Sequence, residues 1–444
     1  MTIKSADLLV ANGIVLAMDS IGTRIKNGAV AIKGEKIVAI GETDDFLSWN
    51  ISQTMDACGG IIMPGLINTH THLPMSLFKG LADDLPLQVW LNEHIFPAEG
   101  KYITPESVRI GTQLSCAEML LSGTTTCCDG YFFEDEIAEA VKACGIRSVL
   151  GQGIIDFPAP GMPDPKNNIS PAIAFMDKWK GAVPTIDPSI FCHSPNTCST
   201  QTLTKAKAAA DDRALLFQIH ASETKHEWDQ IWSQQGASPI EYLDKIGVLD
   251  QNTLLVHTVW VDDGDIDIIA KRGAKVSHNP ESNMKLASGI APIANLLKAG
   301  VTVGIGTDGC ASNNNLDLFC EMDVTAKLHK VAAMNPTVMD AGTVVHMATA
   351  GGAAAIGLER KIGSLEEGKE ADLIVIDTQN PRLAPLYNPI SQLVYAAVGS
   401  DVREVIVAGR IVVRNRKILT IDLEDLLERA GSIGNIIKRG LTEK

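Results

Sequence analysis

Between residues 61 and 309 short apolar runs recur. Each closes on a polar or titratable side chain, and most lead into a stretch where apolar residues return every three or four positions. Eight of these runs read as strands: 61–72, 123–130, 146–156, 188–195, 214–222, 252–261, 274–280 and 301–309. The intervening "PESVRIGTQLSCAEMLLSG" and "IAPIANLLKAG" have helical spacing, with Gly123 and Gly300 where a helix-ending glycine belongs. Eight strand-and-helix alternations predict an α/β chain folded as a (β/α)8 TIM barrel. A doubly wound open sheet would call for a phosphate-cradling G-x-G-x-x-G loop, and none follows the first strand.

The texture differs at the two ends. "ADLLVANGIVLAMD", "GAVAIKGEKIVAIGE" and "GGIIM" within residues 6–62, and "ADLIVIDT" and "VREVIVAGRIVVRN" near the other end, read as short strands joined by close turns. Three or four strands alone bury too little surface, so the two ends are expected to share one small β-sandwich. The predicted organisation is an N-terminal half of the β-sandwich over 1–62, the barrel over 63–362, and a C-terminal half of the β-sandwich with a terminal helix over 363–444. In that helix Leu423, Leu426, Leu427 and Ala430 recur at helical spacing, which suits packing or an oligomer contact. A homo-oligomer is expected.

With 45% apolar and 20% charged residues over 444 positions, the chain has the composition of a folded globular protein with a large core. Thirty-eight basic against fifty-three acidic residues give a net charge of −15, which disfavours nucleic acid or an anionic membrane and leaves a small-molecule substrate. The opening "MTIKSADLLVANGIVLAMDS" is broken by Asp7, Asn12 and Asp19, unlike a signal peptide, and no run approaches the roughly 18 apolar residues of a membrane span. Nine scattered cysteines, an odd number, predict reduced thiols and a cytoplasmic location. Cys127 and Cys128, adjacent on a strand, face opposite sides and read as buried small residues.

The unusual polar residues fall at or near strand ends: His70, His72, Asp129, Gln152, His193, His220, His257, His278 and Asp308. His70 and His72, at i and i+2, share one face of the first strand. With His220 in "FQIHASE" and Asp308 in "GIGTDG" they form a four-ligand set suited to Zn²⁺ with an open position for water, although Fe²⁺ or Mn²⁺ also fits these ligand types. Glu223 stands three residues after His220, within reach of a substrate beside the metal, and Asp308 can accept a proton from water. Trp90 is expected to pack its loop, and His278 to orient loops rather than bind metal.

The stretches "PGLINTHTHLPMSLFKGLADDLPLQVWL", "HASET", "SHNPESNMKLASGIAP" and "GTDGCASNN" resemble the amidohydrolase superfamily. Within it they are similar to the branch of the 5-methylthioadenosine/S-adenosylhomocysteine deaminases and s-triazine hydrolases. The resemblance covers nearly the whole chain, and a split sandwich around a barrel is that branch's architecture too. It implies hydrolytic deamination of an adenine nucleoside (5'-methylthioadenosine, S-adenosylhomocysteine or adenosine) to the inosine analogue and ammonia. By that likeness Glu223 protonates the ring nitrogen beside the attacked carbon, and His257 and Asp308 handle the water. His193 contacts purine or ribose, and Glu99 in "IFPAEGKYI" bonds the ribose hydroxyls, a clamp that suits a carboxylate; Glu223 and Asp308 touch substrate as well. Two-metal members carry a lysine on the fourth strand, whereas "SIFCHSPN" has none, so one ion per subunit is implied.

The sequence departs from the branch at one place. Where some members carry arginines for the homocysteine carboxylate, "GQGIIDFPAPGMPDPKNN" offers Gln152 and no arginine, which favours methylthioadenosine or adenosine. Alternative readings are a deaminase or chlorohydrolase of a free s-triazine, pterin or guanine-like ring, and a catalytically silent metal-binding relative. The complete ligand set and Glu223 speak against the silent relative.

Overall fold

The computed structural model describes residues 4–442. The N-terminal strands are β1 (Ser5–Leu16), β2 (Arg24–Lys33), β3 (Lys36–Glu42), β4 (Asn50–Asp56) and β5 (Ile61–Pro64). The barrel strands are β6 (Leu66–Thr71), β7 (Thr124–Tyr131), β8 (Arg147–Ile154), β9 (Ile186–Cys192), β10 (Phe217–Ala221), β11 (Thr253–His257), β12 (Lys275–His278) and β13 (Val303–Ile305). The C-terminal strands are β14 (Leu373–Ile376), β15 (Val402–Val407), β16 (Arg410–Arg414) and β17 (Lys417–Ile418).

Strands β6 to β13 pair in sequence order, all parallel, with helices between them as in a (β/α)8 barrel. The seam between first and last strands is bridged by Asn68. Its Oδ1 accepts from the Thr307 N–H at 3.1 Å, and its Nδ2 donates to Thr307 Oγ1 at 2.8 Å. Beside it the Asp308 N–H donates to the His70 carbonyl at 3.0 Å. The barrel strands are buried at every position but Asp187 and Lys275, hence the near-continuous apolar runs in the sequence. Gly123 (φ 88°) ends the helix Pro105–Leu121, and Gly300 (φ 83°) follows the helix Ile293–Lys298.

The two chain ends build a second sheet, as expected, but as one hydrogen-bonded path of nine strands, β17-β16-β15-β14-β5-β1-β2-β3 with β4 also on β1. The long β1 pairs with parallel β4 along its first half and with parallel β5 at its end. This wraps the sheet around Leu8, Val10, Val30, Ile32, Ile62, Leu373, Val375 and Ile406. The turn between β2 and β3 is a two-residue hairpin with Gly34 at φ 57°. Strand β4, "NISQTMD", escapes a hydrophobic reading because only Met55 in it is buried.

The apolar run 61–72, read from sequence as one barrel strand, is two. β5 joins the terminal sheet against β14, and β6 opens the barrel against β7. Gly65 marks the crossing, where a Cβ would stand 2.1 Å from Thr125 Oγ1. Two buried strands in tandem share one texture, so periodicity does not divide them. Sheet and barrel are also pinned by Arg147. It is fully buried and donates through Nε to Asp372 Oδ2 at 2.6 Å and through Nη2 to Glu370.

The helix Leu423–Thr442 packs on Pro105–Leu121 through Leu426 against Ile110 and Ala117, while Leu427 is exposed. Among the described residues no helix is long and apolar enough to cross a membrane. All nine cysteines are free thiols: seven are buried, Cys320 is half-buried and Cys58 is exposed.

Candidate active site

The ends of three strands, with the turns that follow two of them, converge at the carboxyl mouth of the barrel. His70 ends on β6 and His72 follows it, His220 lies on β10, and Asp308 comes just after β13. One donor atom from each lies within 4.8 Å of every other. His70 Nε2 stands 3.2 Å from His220 Nε2, and Asp308 Oδ1 is 3.4 Å from both His70 Nε2 and His72 Nε2. Donors held about 2.0–2.1 Å from one tetrahedral ion stand about 3.3 Å apart, so these separations fit a bound cation.

The tautomers and charges fit as well. His72 donates its Nδ1–H to the Gly130 carbonyl at 2.7 Å, which turns the lone pair of Nε2 toward the cluster. Burial lowers the His70 imidazole to about 4 and pushes His220 well below its ordinary value, so both are neutral at pH 7, the form in which an imidazole can ligate a metal. Burial raises the Asp308 carboxyl, but the bond to His70 and the surrounding histidines outweigh it and hold the group well below the usual range. Asp308 is fixed by Ser282 Oγ and Ser312 Oγ, which donate to Oδ2 at 2.6 and 3.0 Å, and by the Gly309 N–H, which donates to Oδ1 at 2.7 Å.

Two further groups face the cluster. His257 donates Nδ1–H to Asn283 Oδ1 at 2.9 Å, which leaves Nε2 as an acceptor 3.8 Å from Glu223 Oε2. Burial raises the Glu223 carboxyl against the pull of His257, which favours a proton on it. Non-glycine residues with left-handed backbone gather here: Ser222 (φ 54°), His257 (φ 75°), Thr258 (φ 50°) and Asp308 (φ 62°). Such conformations cost roughly 1–3 kcal/mol each and concentrate where side chains must be aimed.

Above the cluster lies a cavity of about 610 Å³, the size of a small-molecule site. Trp90, Phe96, Ile103, Phe157 and Leu286 make much of its wall, and Glu99, His193, Glu223, His257 and Asp308 reach it. Glu99, on the helix Phe96–Tyr102, accepts the Tyr131 hydroxyl hydrogen, and burial raises its carboxyl to about 7. His193 is held by Thr197 Oγ1 at 2.9 Å from Nδ1, and burial lowers it to about 4. Among the described residues no lysine or arginine lines this cavity.

Of the residues singled out from sequence, the structure brings His70, His72, His220, Asp308, Glu223, His257, His193, Glu99 and Trp90 to this one place. Gln152 is not at the cavity. Its Oε1 accepts from the Glu134 N–H at 3.3 Å and its amide nitrogen meets Met162 Sδ, so it packs outside the wall. His278 faces His329 instead, Nε2 to Nε2 at 3.0 Å. Asp129 supports the ligand strand, accepting Thr71 Oγ1 at 2.8 Å and the Leu73 N–H at 2.7 Å. Nothing in the sequence singles out Tyr131, Asn283, Ser282 or Ser312. Asn283 and Ser282 lie inside "SHNPESNMK", but only the fold shows which side chains they hold.

This barrel with three histidines and an aspartate at its mouth matches the Amidohydrolase family over residues 61–412, and the chain belongs to that family. It is 48% identical over 434 residues to the 5-methylthioadenosine/S-adenosylhomocysteine deaminase of Syntrophobacter fumaroxidans, covering 98% of this chain and 99% of that one. It is 44% identical over 427 residues to a 5'-deoxyadenosine deaminase of Methanosarcina mazei, covering 96% and 97%. Among solved structures, an adenosine deaminase from Xanthomonas campestris with bound zinc superposes with a TM-score of 0.96 at 37% identity, over 99% of this chain and 100% of that one.

Proposed function

We propose that this protein is a metal-dependent hydrolytic deaminase of adenine nucleosides that turns the exocyclic amine into ammonia and leaves the inosine analogue. The observation that carries the reading is the convergence of four donor atoms within 4.8 Å beside Glu223 and His257, at a cavity that Glu99 also lines. Relatives that bear deaminase names over almost their full length support it.

In this reading His70, His72, His220 and Asp308 hold one ion, which we take to be zinc. The ion supplies Lewis acidity that makes water nucleophilic near neutral pH. His257 Nε2 and Asp308 take up the water's proton. Glu223 gives its carboxyl proton to the ring nitrogen next to the attacked carbon, so that the electrons gained on attack rest on a neutral ring. The proton held by His257 and Asp308 passes to the amino group, which leaves as ammonia when the carbon–nitrogen bond breaks, while the ring nitrogen keeps its proton and the hydroxyl proton of the adduct returns to Glu223 as the carbonyl forms. Glu99 accepts from both ribose hydroxyls, and His193 orders the purine or ribose alongside it. With no lysine or arginine among its described lining residues, the cavity favours adenosine or an apolar 5′ substituent over the homocysteine carboxylate. Residues 63–362 act as the catalytic unit, braced by the module of 1–62 and 363–444.

The test is turnover of adenosine, 5'-deoxyadenosine and 5'-methylthioadenosine by metal-loaded protein, followed as lost adenine absorbance with one ammonia per turnover. No turnover of any of the three would overturn the proposal. Turnover of a free heterocycle in preference, with no effect of Glu99→Ala, would replace it with the other substrate class.

A further inference from the structure

We propose that Glu227 is a positioning residue for Glu223, fixing the backbone from which the proton donor is aimed; this rests on the reading of Glu223 as that donor. Glu227 is the third residue of the helix Lys225–Gln235, whose N-cap Thr224 accepts the Glu227 N–H at 3.1 Å. A glutamate there ordinarily reaches back to the N-cap's own N–H. Glu227 reaches further. Its Oε1 accepts from the Ser222 N–H at 3.0 Å and its Oε2 from the Glu223 N–H at 2.9 Å, so both oxygens hold backbone amides.

The peptide group between Ser222 and Glu223 is therefore gripped on both edges. Its N–H is held by Glu227, and its carbonyl accepts from the Val259 N–H at 2.9 Å and the Trp260 N–H at 2.8 Å. The grip is needed because Ser222 is left-handed (φ 54°), a conformation serine does not keep unaided. It also ties the loop after β10, which carries Glu223, to the loop that follows His257 at the end of β11, and the two side chains face each other across a 3.8 Å gap. Glu227 is buried, and both oxygens of its carboxylate are engaged by the Ser222–Glu223 backbone. Burial raises the Glu227 carboxyl to about 7 against the pull of these two amides; in its ionised form the bonds are charge-assisted, among the stronger hydrogen bonds, and a helix N-terminus suits the charge.

The role predicts a loss in the chemical step rather than in binding. Misplacing a catalytic group by about 1 Å costs on the order of 100-fold in rate. Glu227→Gln offers one acceptor for two amides, and its kcat on the best adenine nucleoside should fall about 10- to 100-fold with KM little changed. Its metal content should equal that of the parent. Placed in a Glu223→Gln background, the same change should add almost nothing, since the group it aims is already gone. Glu227→Asp, which keeps the charge and shortens the reach, should fall between the two and serves if the glutamine variant does not fold.

An unchanged kcat, a fall matched by metal loss, or an equal fractional loss with and without Glu223 would each overturn the proposal. An unimpaired Glu223→Gln would instead overturn the assignment of Glu223 and this proposal with it. An impaired Glu223→Gln beside unimpaired Glu227 variants would overturn only the role of Glu227.

Discussion

Glu223 and Glu99 are carboxyls whose affinity for a proton burial raises, yet the proposed reaction needs them in opposite states. Glu223 must carry a proton to give it away, whereas Glu99 must be ionised to accept two hydroxyls. With Glu99 at about 7, the KM of a riboside should fall as pH rises from 6 to 8, and Glu99→Gln should remove that dependence. The stability effect has the opposite sense. A carboxyl raised from 4.5 to about 7 holds its proton more tightly in the folded state, so its contribution is full below 4.5 and is lost as pH rises through 7. Glu99→Gln should therefore raise Tm more at pH 8 than at pH 5. Equal shifts at both pH values would show that Glu99 is ionised throughout. The pairing of Glu99 with Tyr131 was invisible in the sequence, because it joins a helix of the first loop to the second strand through contact alone.

At the scale of elements, the strand ends were legible for a physical reason: in a fully buried barrel strand a histidine or aspartate interrupts an otherwise apolar run. What could not be read was the division of 61–72, since a strand of the terminal sheet and one of the barrel are buried alike. Gly65 makes the division possible. A methyl group there would fall 2.1 Å from Thr125 Oγ1 and 2.2 Å from its Cγ2. Gly65→Ala should destabilise the protein by about 1–3 kcal/mol through overpacking, seen as a lower melting temperature. An unchanged melt would mean that the first barrel strand shifts freely. Gln152 marks a second limit of sequence reading: its place in the chain is a strand end, but its side chain turns to Glu134 and Met162.

For the molecule as a whole, the metal cluster and the fold are coupled, because the four donors come from the first, fifth and last strands or the turns beside them. An ion bound by the folded chain and not by the unfolded one adds stability by mass action. Exhaustive chelation should abolish deamination and lower Tm, and one equivalent of divalent metal should restore both. Full activity after verified metal removal would end the reading of the cluster as a metal centre. The overall architecture was the most legible level of all, since eight repeats of one pattern carry more information than any single motif.

The short strand β5 runs through Gly65 directly into the strand that carries His70, and its sheet neighbour on one side is β14, about three hundred residues later in the chain. During synthesis that edge stays bare until Leu373–Ile376 has left the ribosome, an exposure that invites pairing with a wrong strand. A chain stopped before residue 373 would have all four metal-binding side chains and lack the clamp on their first strand.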